Sequence, residues 1–309
     1  MFGYISAIIS SLFFSLYIIP RKLSKLSPVI FSLFMSAGFS ISTIVLYLFQ
    51  PLIGFHEKLS LVLLWSVGAG IIWATSFVAF VTSIDLIGLS RSNQWKNLQG
   101  PFGVLLSLLL LGEWATTNPL YAILAALAIF ASALFFTNTS SATTKQINLK
   151  GVYLASLAAL GFGSVAVIQK YVTAQVGVYS QQVVWSLSIF FSLLTYILLS
   201  HRVKEVFKSR RKDVVLGLGA GVFYLGASIF QLFSYKYIPA AIGFTIIQLN
   251  ALWTITIGIL VFKEIDLKKY GKQVGFGLLF TLIGVFLLVL ARKSELLMTV
   301  PGPNLRKMM

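Results

Sequence analysis

Two long apolar segments of this sequence each carry a pair of amide side chains. Asn97 and Gln99 interrupt the segment 88–111, and Gln248 and Asn250 interrupt the segment 239–262. Lipid offers an amide no hydrogen-bond partner, whereas the hydroxyl groups of a polar solute do. The four amides therefore predict a binding site for a carbohydrate or a similar small metabolite. The alternative is that they only join neighbouring helices, as polar side chains in membranes often do.

Helical geometry indicates which of these side chains share a face. At 100° per residue the polar positions of the first segment fall within an arc of about 160°, and they include Asn93, Lys96, Asn97 and Gln99. Gln248 and Asn250 lie about 160° apart, so one of them is expected to bond a neighbouring helix, and Gln248 is the preferred cavity residue. Pro101 lacks an N–H, which predicts a kink and a free carbonyl at Asn97.

Other polar and aromatic residues leave two interpretations open. Trp73 and Tyr224 can stack against a sugar ring or simply pack in the protein interior. Gln169 and Gln231 are isolated polar groups that either line the path or pack between helices. Lys96 is the charge placed well inside an apolar segment, where an unpaired ammonium is costly. Its side chain can extend to the membrane surface, lose its proton, or receive an anionic substrate.

The composition excludes several kinds of chemistry. The chain has no cysteine and only two histidines, His56 and His201, and both histidines lie in loops. Thiolate and histidine metal sites therefore have no ligands, and carboxylates lie only near the ends of the apolar segments. The sequence predicts no enzyme, no metal and no cofactor. The net charge of +16 does not indicate nucleic-acid binding, because the basic residues lie in loops between apolar segments.

The elements that position these residues are transmembrane helices. Hydrophobic residues make up 58% of the 309 residues and charged residues 10%, against roughly 25% charged residues in soluble domains. The sequence therefore predicts an all-α integral membrane protein of the cell membrane. Ten segments are long enough to span, at about 2–20, 28–49, 60–84, 88–111, 119–137, 151–172, 178–199, 214–236, 239–262 and 271–291. Alternating loops place most Lys and Arg on one side, which predicts both termini outside.

The two halves of the sequence resemble each other. A shift of 151 residues aligns Glu113 with Glu264, Asn97 with Gln248, and Trp73 with Tyr224. We expect a first repeat at 1–137, a linker at 138–150, a second repeat at 151–292 and a disordered tail at 293–309. Because each repeat has five helices, the second must enter the membrane in the opposite orientation. Two inverted five-helix repeats are typical of secondary transporters, with the substrate site near the membrane midplane.

Short motifs indicate a family. The sequences Gly70-x-x-Trp73, Ile87-Gly88-Leu89-Ser90 and Leu111-Gly112-Glu113-Trp114 resemble the glucose/ribose porter family of the drug/metabolite transporter superfamily. The resemblance implies a sugar permease that works by alternating access, with proton symport usual in the family. The predicted site is Trp73, Asn93, Lys96, Asn97, Gln99, Tyr224, Gln248 and Asn250. The expected partners are a small-molecule substrate, the lipid bilayer and a coupling proton, in a monomer or homodimer. The alternatives are an exporter or exchanger of an anionic metabolite, and a passive channel with the same polar face.

Overall fold

A computed structural model gives the fold and describes residues 1–87, 92, 95–137, 148–261 and 267–291. Within these ranges all regular elements are helices. The site candidate Asn93, most of the predicted linker and the predicted tail lie outside the described residues. Long helices are the structure that satisfies every backbone hydrogen bond inside an apolar segment, so the apolar segments of the sequence fold in this way.

The helices follow the apolar segments in chain order. They are α1 (Phe2–Leu16), α2 (Ile18–Leu23), α3 (Pro28–Phe49), α4 (Leu64–Ile87), α5 (Gln99–Leu110), α6 (Pro119–Thr137), α7 (Leu149–Thr173), α8 (Val178–Leu199), α9 (Val203–Phe207), α10 (Arg211–Tyr237), α11 (Ala240–Ile247), α12 (Asn250–Leu260) and α13 (Leu267–Ala291). Short 3₁₀ helices cover Gln50–Ile53, Leu61–Leu63 and Glu113–Ala115.

Seven helices in the described part of the chain are long and apolar enough to cross a membrane. They coincide with seven of the ten predicted segments. The remaining three segments contain shorter apolar helical stretches: Gln99–Leu110 in α5, Pro119–Phe135 in α6, and Ala240–Thr254, which covers α11 and the start of α12. The protein is therefore an all-α, multi-pass membrane protein. The number of ten crossings stays a prediction.

Two of the predicted segments contain interrupted helices. Helical structure breaks at Asn97–Leu98 before α5, and at Gln248–Leu249 between α11 and α12. The carbonyl of Asn97 accepts from the N–H of Gly100 at 3.2 Å, so the predicted free acceptor at this position is wrong. A tighter turn with i→i+3 bonding takes up the carbonyl that Pro101 cannot serve. The carbonyl of Gln248 accepts from Ala251 at 3.2 Å in the same way, without a proline.

Close helix contacts hold the bundle together. Helices α3 and α10 approach backbone to backbone, because a Cβ at Gly38 would lie 2.2 Å from the carbonyl oxygen of Leu218. A Cβ at Gly221 would lie 2.3 Å from the carbonyl oxygen of Met35. Around this contact a buried core joins α3, α4, α8 and α10. Small residues at such interfaces let backbones approach and gain van der Waals contact.

The bundle has two faces, named here after a carboxylate at each. The Glu113 face is where α5, α7 and α10 end and where α8 and α11 begin. The Asp213 face carries the start of α10 and the loop before α3, where the N–H of Lys25 donates to the Asp213 carboxylate at 3.0 Å. The basic loops place the Asp213 face inside in the topology that the sequence predicts.

Candidate functional site

The amides of the two interrupted helices meet directly. Gln99 is the first residue of α5, and its Nε2 donates to Oε1 of Gln248 at 3.0 Å. Gly100 makes room for this contact, because a Cβ there would lie 3.4 Å from Cγ of Gln248. The pair links the two helix breaks across the bundle, and Gln99 is 9% exposed. Two predicted site residues from opposite halves of the chain are therefore in contact.

A narrow cleft lies beside this amide pair. Its polar lining comes from Asn97, Thr245, Gln248 and Asn250, and residues of α6 such as Phe130 close its apolar side. The cleft has a volume of about 10 Å³, which is the space that one water molecule needs. Both Gln248 and Asn250 line it, and the carbonyl oxygen of Asn250 accepts from the hydroxyl of Ser15 at 2.8 Å. A sugar would require the helices around the cleft to move apart.

The two predicted aromatic residues belong to a separate cluster. Trp73 and Tyr224 are 8% and 5% exposed, and their ring centroids lie 5.8 Å apart. Phe77 stacks on Trp73 at 5.4 Å and Trp185 lies 6.3 Å from Tyr224. The cluster also includes Phe14, Tyr17, Phe39 and Phe162. Aromatic rings from six helices thus meet and fill the centre of the bundle between α3, α4, α8 and α10.

Lys96 lies next to an aromatic ring. Its Nζ is 5.6 Å from the centroid of Phe80, within the range of a cation–π contact. Among the residues that the structure describes, no carboxylate comes within ion-pair distance of Lys96. The side chain is half-buried. Phe80 therefore accompanies the charge in this conformation.

The helix of the amide Gln99 and the aromatic cluster contact neighbouring residues of α7. Phe162 contacts Trp73 with centroids 6.0 Å apart. The next residue, Gly163, lies so close to α5 that a Cβ there would be 2.9 Å from the backbone nitrogen of Gly103. Within the described ranges no hydrogen bond or ring contact joins Trp73 or Tyr224 to the four amides. The predicted site residues therefore form two neighbouring groups.

A polar network near the Glu113 face contains residues that the sequence interpretation missed. Gln231 donates from Nε2 to Oε1 of Gln169 at 3.1 Å, and Gln182 donates to the hydroxyl of Ser228. Gln181 donates to the carbonyl of Gln169 at 3.0 Å. Gln169 and Gln231 are thus bonded to each other and not isolated. The spacing of the polar residues on α10 predicts a polar face on this helix. It does not predict their partners, which lie on α7 and α8 in other segments of the sequence.

A carboxylate and an ammonium hold the loop between α10 and α11. The two carboxylate oxygens of Glu113 accept from the N–H groups of Ala240 and Ala241 at 2.6 and 2.8 Å, at the N-terminus of α11. Lys170 donates to the carbonyls of Tyr235 and Ile238 at the end of α10. Burial raises the pKa of the Glu113 carboxyl, against the opposing effect of the two amides. The sequence analysis used Glu113 as a marker of the repeat and as part of a family motif, and it did not predict that Glu113 holds this loop.

Comparisons with known proteins assign a family and a fold. Residues 38–291 match the family described as "Sugar transport protein", which is most of the chain. A comparison with curated protein sequences gives no match. A solved structure described as "Crystal structure of protein" is similar over 94% of this chain and 97% of that one, with a TM-score of 0.72 and 12% sequence identity. At that identity the likeness shows a shared fold.

Proposed function

Because the chain belongs to the sugar transport protein family, we propose that it is a secondary transporter that moves a neutral sugar by alternating access. The proposal includes ten membrane crossings, arranged as two inverted five-helix repeats, in the cell membrane. The family match confirms the resemblance that the short motifs predicted.

The observation that carries the proposal is the pair of equivalent helix breaks. Asn97–Leu98 and Gln248–Leu249 are separated by the same 151 residues that align the two halves. Interrupted helices of this kind place half-helix N-termini near the membrane midplane, where transporters with inverted repeats bind substrate. Gln99 and Gln248 meet at these breaks at 3.0 Å.

The packing of the helices supports the repeat. Exchanging each helix for its equivalent in the other half converts the contact of α4 with α7 into that of α10 with α1, and both contacts are extensive. The contact of α3 with α10 converts into that of α8 with α4 in the same way. The pairs α3 with α8 and α6 with α13 convert into themselves. This pattern is what a two-fold axis between the halves produces.

The side chains around the breaks favour a neutral solute. Asn97, Gln99, Gln248 and Asn250 together offer donors and acceptors without charge, which suits hydroxyl groups. We propose that the cleft beside them widens when the halves tilt, and that the amide pair then exchanges its mutual hydrogen bond for bonds to the sugar. The proposal includes a coupling proton, which the family resemblance implies, and a monomer or homodimer.

Lys96 supports the second candidate, an exchanger of an anionic metabolite. Its ammonium has the Phe80 ring beside it and no carboxylate in the described residues, so an anion would pair with it favourably. Lys96→Ala distinguishes the two functions. If Lys96→Ala loses transport and Lys96→Arg keeps it, the anionic substrate is favoured. Unchanged sugar uptake in Lys96→Ala excludes the anion exchanger.

Uptake into proteoliposomes tests the proposal. The panel contains labelled neutral sugars, sugar phosphates, amino acids and dicarboxylates, each with and without a pH gradient. We expect saturable uptake and counterflow of a neutral sugar, and a fall of about tenfold in kcat/KM for Gln248→Ala. Gln175→Ala is the control, because Gln175 is exposed in the turn after α7 and its amide donates to the carbonyl of Tyr171 in that helix. Exchange of anions alone, or uptake without saturation, would refute the proposal.

A further inference from the structure

One face of α10 is polar along half of its length. Tyr224, Ser228, Gln231 and Tyr235 recur at spacings of four, three and four residues, so they share an arc of about 60°. They extend over about 16 Å of helix, which is about half of a hydrocarbon core. This α10 stripe runs from the aromatic cluster at Tyr224 to the Glu113 face.

Nine buried side-chain N or O atoms have no hydrogen-bond partner in the described part of the chain, and three of them are amide or indole atoms beside the α10 stripe. These three are Nε2 of Gln169, Oε1 of Gln182 and Nε1 of Trp185. The three residues are 2%, 1% and 2% exposed, so bulk water does not serve them. Because Gln182 bonds Ser228 with one amide atom, the other stays unpaired whichever way the amide group is turned. Buried polar atoms without partners are rare in folded proteins and require an explanation.

The neighbouring glutamine shows that this environment can satisfy an amide. Gln181 is 1% exposed, like Gln182. Its Oε1 accepts from the hydroxyl of Thr173 at 2.8 Å, and its Nε2 donates to the carbonyl of Gln169 at 3.0 Å. Gln181 therefore joins α7 to α8 with both amide atoms. The unpaired atom of Gln182 takes no part in this connection between α7 and α8.

The equivalent stripe in the first half is apolar. Subtracting 151 residues from the α10 stripe gives Trp73, Phe77, Phe80 and Ile84 on α4. Two rings of that set stack on each other, since Trp73 and Phe77 have centroids 5.4 Å apart at an interplanar angle of 6°. The repeat fold therefore does not need polar residues at these positions. The polar residues occur at these positions on α10, which ends at the Glu113 face, and not on its equivalent α4.

We propose that Gln169, Gln182 and Trp185 bind hydroxyl groups of the transported sugar in the conformation that is open to the Glu113 face. The inference rests on the proposed sugar transport and adds residues to the same pathway. Two donors and one acceptor without charge match a neutral ring whose hydroxyls both donate and accept. The indole of Trp185 also presents an aromatic face next to Tyr224. In the closed conformation the helices pack together and leave these three atoms unpaired.

Uptake of glucose and of its 2-, 3-, 4- and 6-deoxy analogues into proteoliposomes tests this role. Gln182→Leu is expected to lower kcat/KM about tenfold for glucose and to leave it nearly unchanged for the analogue that lacks the bound hydroxyl. Trp185→Phe keeps the ring and removes the N–H, so it should produce the same pattern with a different analogue. This second variant preserves the test if Gln182→Leu does not fold.

Gln181→Leu is the matched control. A structural glutamine affects all five sugars by the same factor, so the order of preference in Gln181→Leu should equal that of the wild type. If Gln182→Leu and Trp185→Phe also keep the wild-type order, the inference is wrong while sugar transport stands. If the wild type takes up none of the sugars of the full panel, the proposed function and this inference fall together.

Discussion

At the scale of single residues, buried carboxylates of this chain bind backbone groups from the opposite half. Glu113 is 7% exposed and accepts two N–H groups at the N-terminus of α11. Lys170, bonded to carbonyls at the end of α10, is the charged group that faces it. Burial nevertheless prevails over these contacts and raises the pKa of the carboxyl. Glu113, which lies outside the membrane-spanning helices, therefore releases its proton at a higher pH than an exposed glutamate does.

Thermal unfolding in detergent over a pH series tests this raised pKa. The folded protein holds a proton on Glu113 at pH values where the unfolded chain has released it, so the stabilisation is greatest at acid pH and declines as the pH rises through the raised pKa. We expect the melting temperature of the wild type, relative to Glu113→Gln, to fall as the pH rises above the ordinary value of 4.5.

Glu205 supplies a control of opposite sign. Arg202 lowers the pKa of this exposed carboxyl, so its small stabilisation is present above the ordinary pKa and is lost as the pH falls. The corresponding difference for Glu205→Gln should therefore rise with pH. Parallel pH dependences for Glu113→Gln and Glu205→Gln would contradict the assignment.

At the scale of helices, the sequence predicts the segments better than their contacts. Apolar length locates α3, α4, α7, α8, α10 and α13, because a membrane span is a local property of the chain. Pro101 indicates the first helix break, but the break at Gln248 has no proline and follows only from the alignment of the halves. The bond between Gln99 and Gln248 depends on how two distant helices dock. No local pattern encodes that docking, and the same holds for the network around Gln169.

Two glycines of α10 separate helix packing from helix propensity. A Cβ at Gly221 would lie 2.3 Å from the backbone of α3, whereas a Cβ at Gly219 would meet nothing within 4 Å. We expect Gly221→Ala to destabilise the protein by about 1–3 kcal/mol, because α3 and α10 must separate. Gly219→Ala should be neutral or stabilise by up to about 1 kcal/mol, since alanine favours a helix. Denaturation of both variants in the same detergent provides the measurement, and equal stabilities would contradict the packing argument.

At the scale of the whole molecule, carboxylates join the two halves of the chain at both faces. On one face Glu57 accepts from the N–H of Ser180 at 2.8 Å, and Glu113 accepts from the start of α11. On the other face Asp213 accepts from the N–H of Lys25, and Glu205 accepts from the hydroxyl of Ser27 at 3.3 Å. Each of these four described carboxylates reaches the opposite half of the chain. Alternating access requires that the contacts of one face break while those of the other persist.

In the proposed mechanism, weakening the carboxylate hydrogen bonds of one face should therefore bias which face opens. The chain has no cysteine, so Ser10→Cys provides a single thiol on α1, where the buried Ser10 donates to the carbonyl of Ala227 on α10 at 2.7 Å. Glu113→Gln replaces one of the two accepting oxygens with an NH₂ group that cannot accept from the N–H groups of Ala240 and Ala241. A buried donor left without its acceptor costs about 1–3 kcal/mol, so this variant should raise the rate of labelling from the Glu113 face about tenfold. Asp213→Asn should lower it, because the opposite face then opens more readily. If both substitutions raise the rate equally, they loosen the whole bundle, and the carboxylates do not control which face opens.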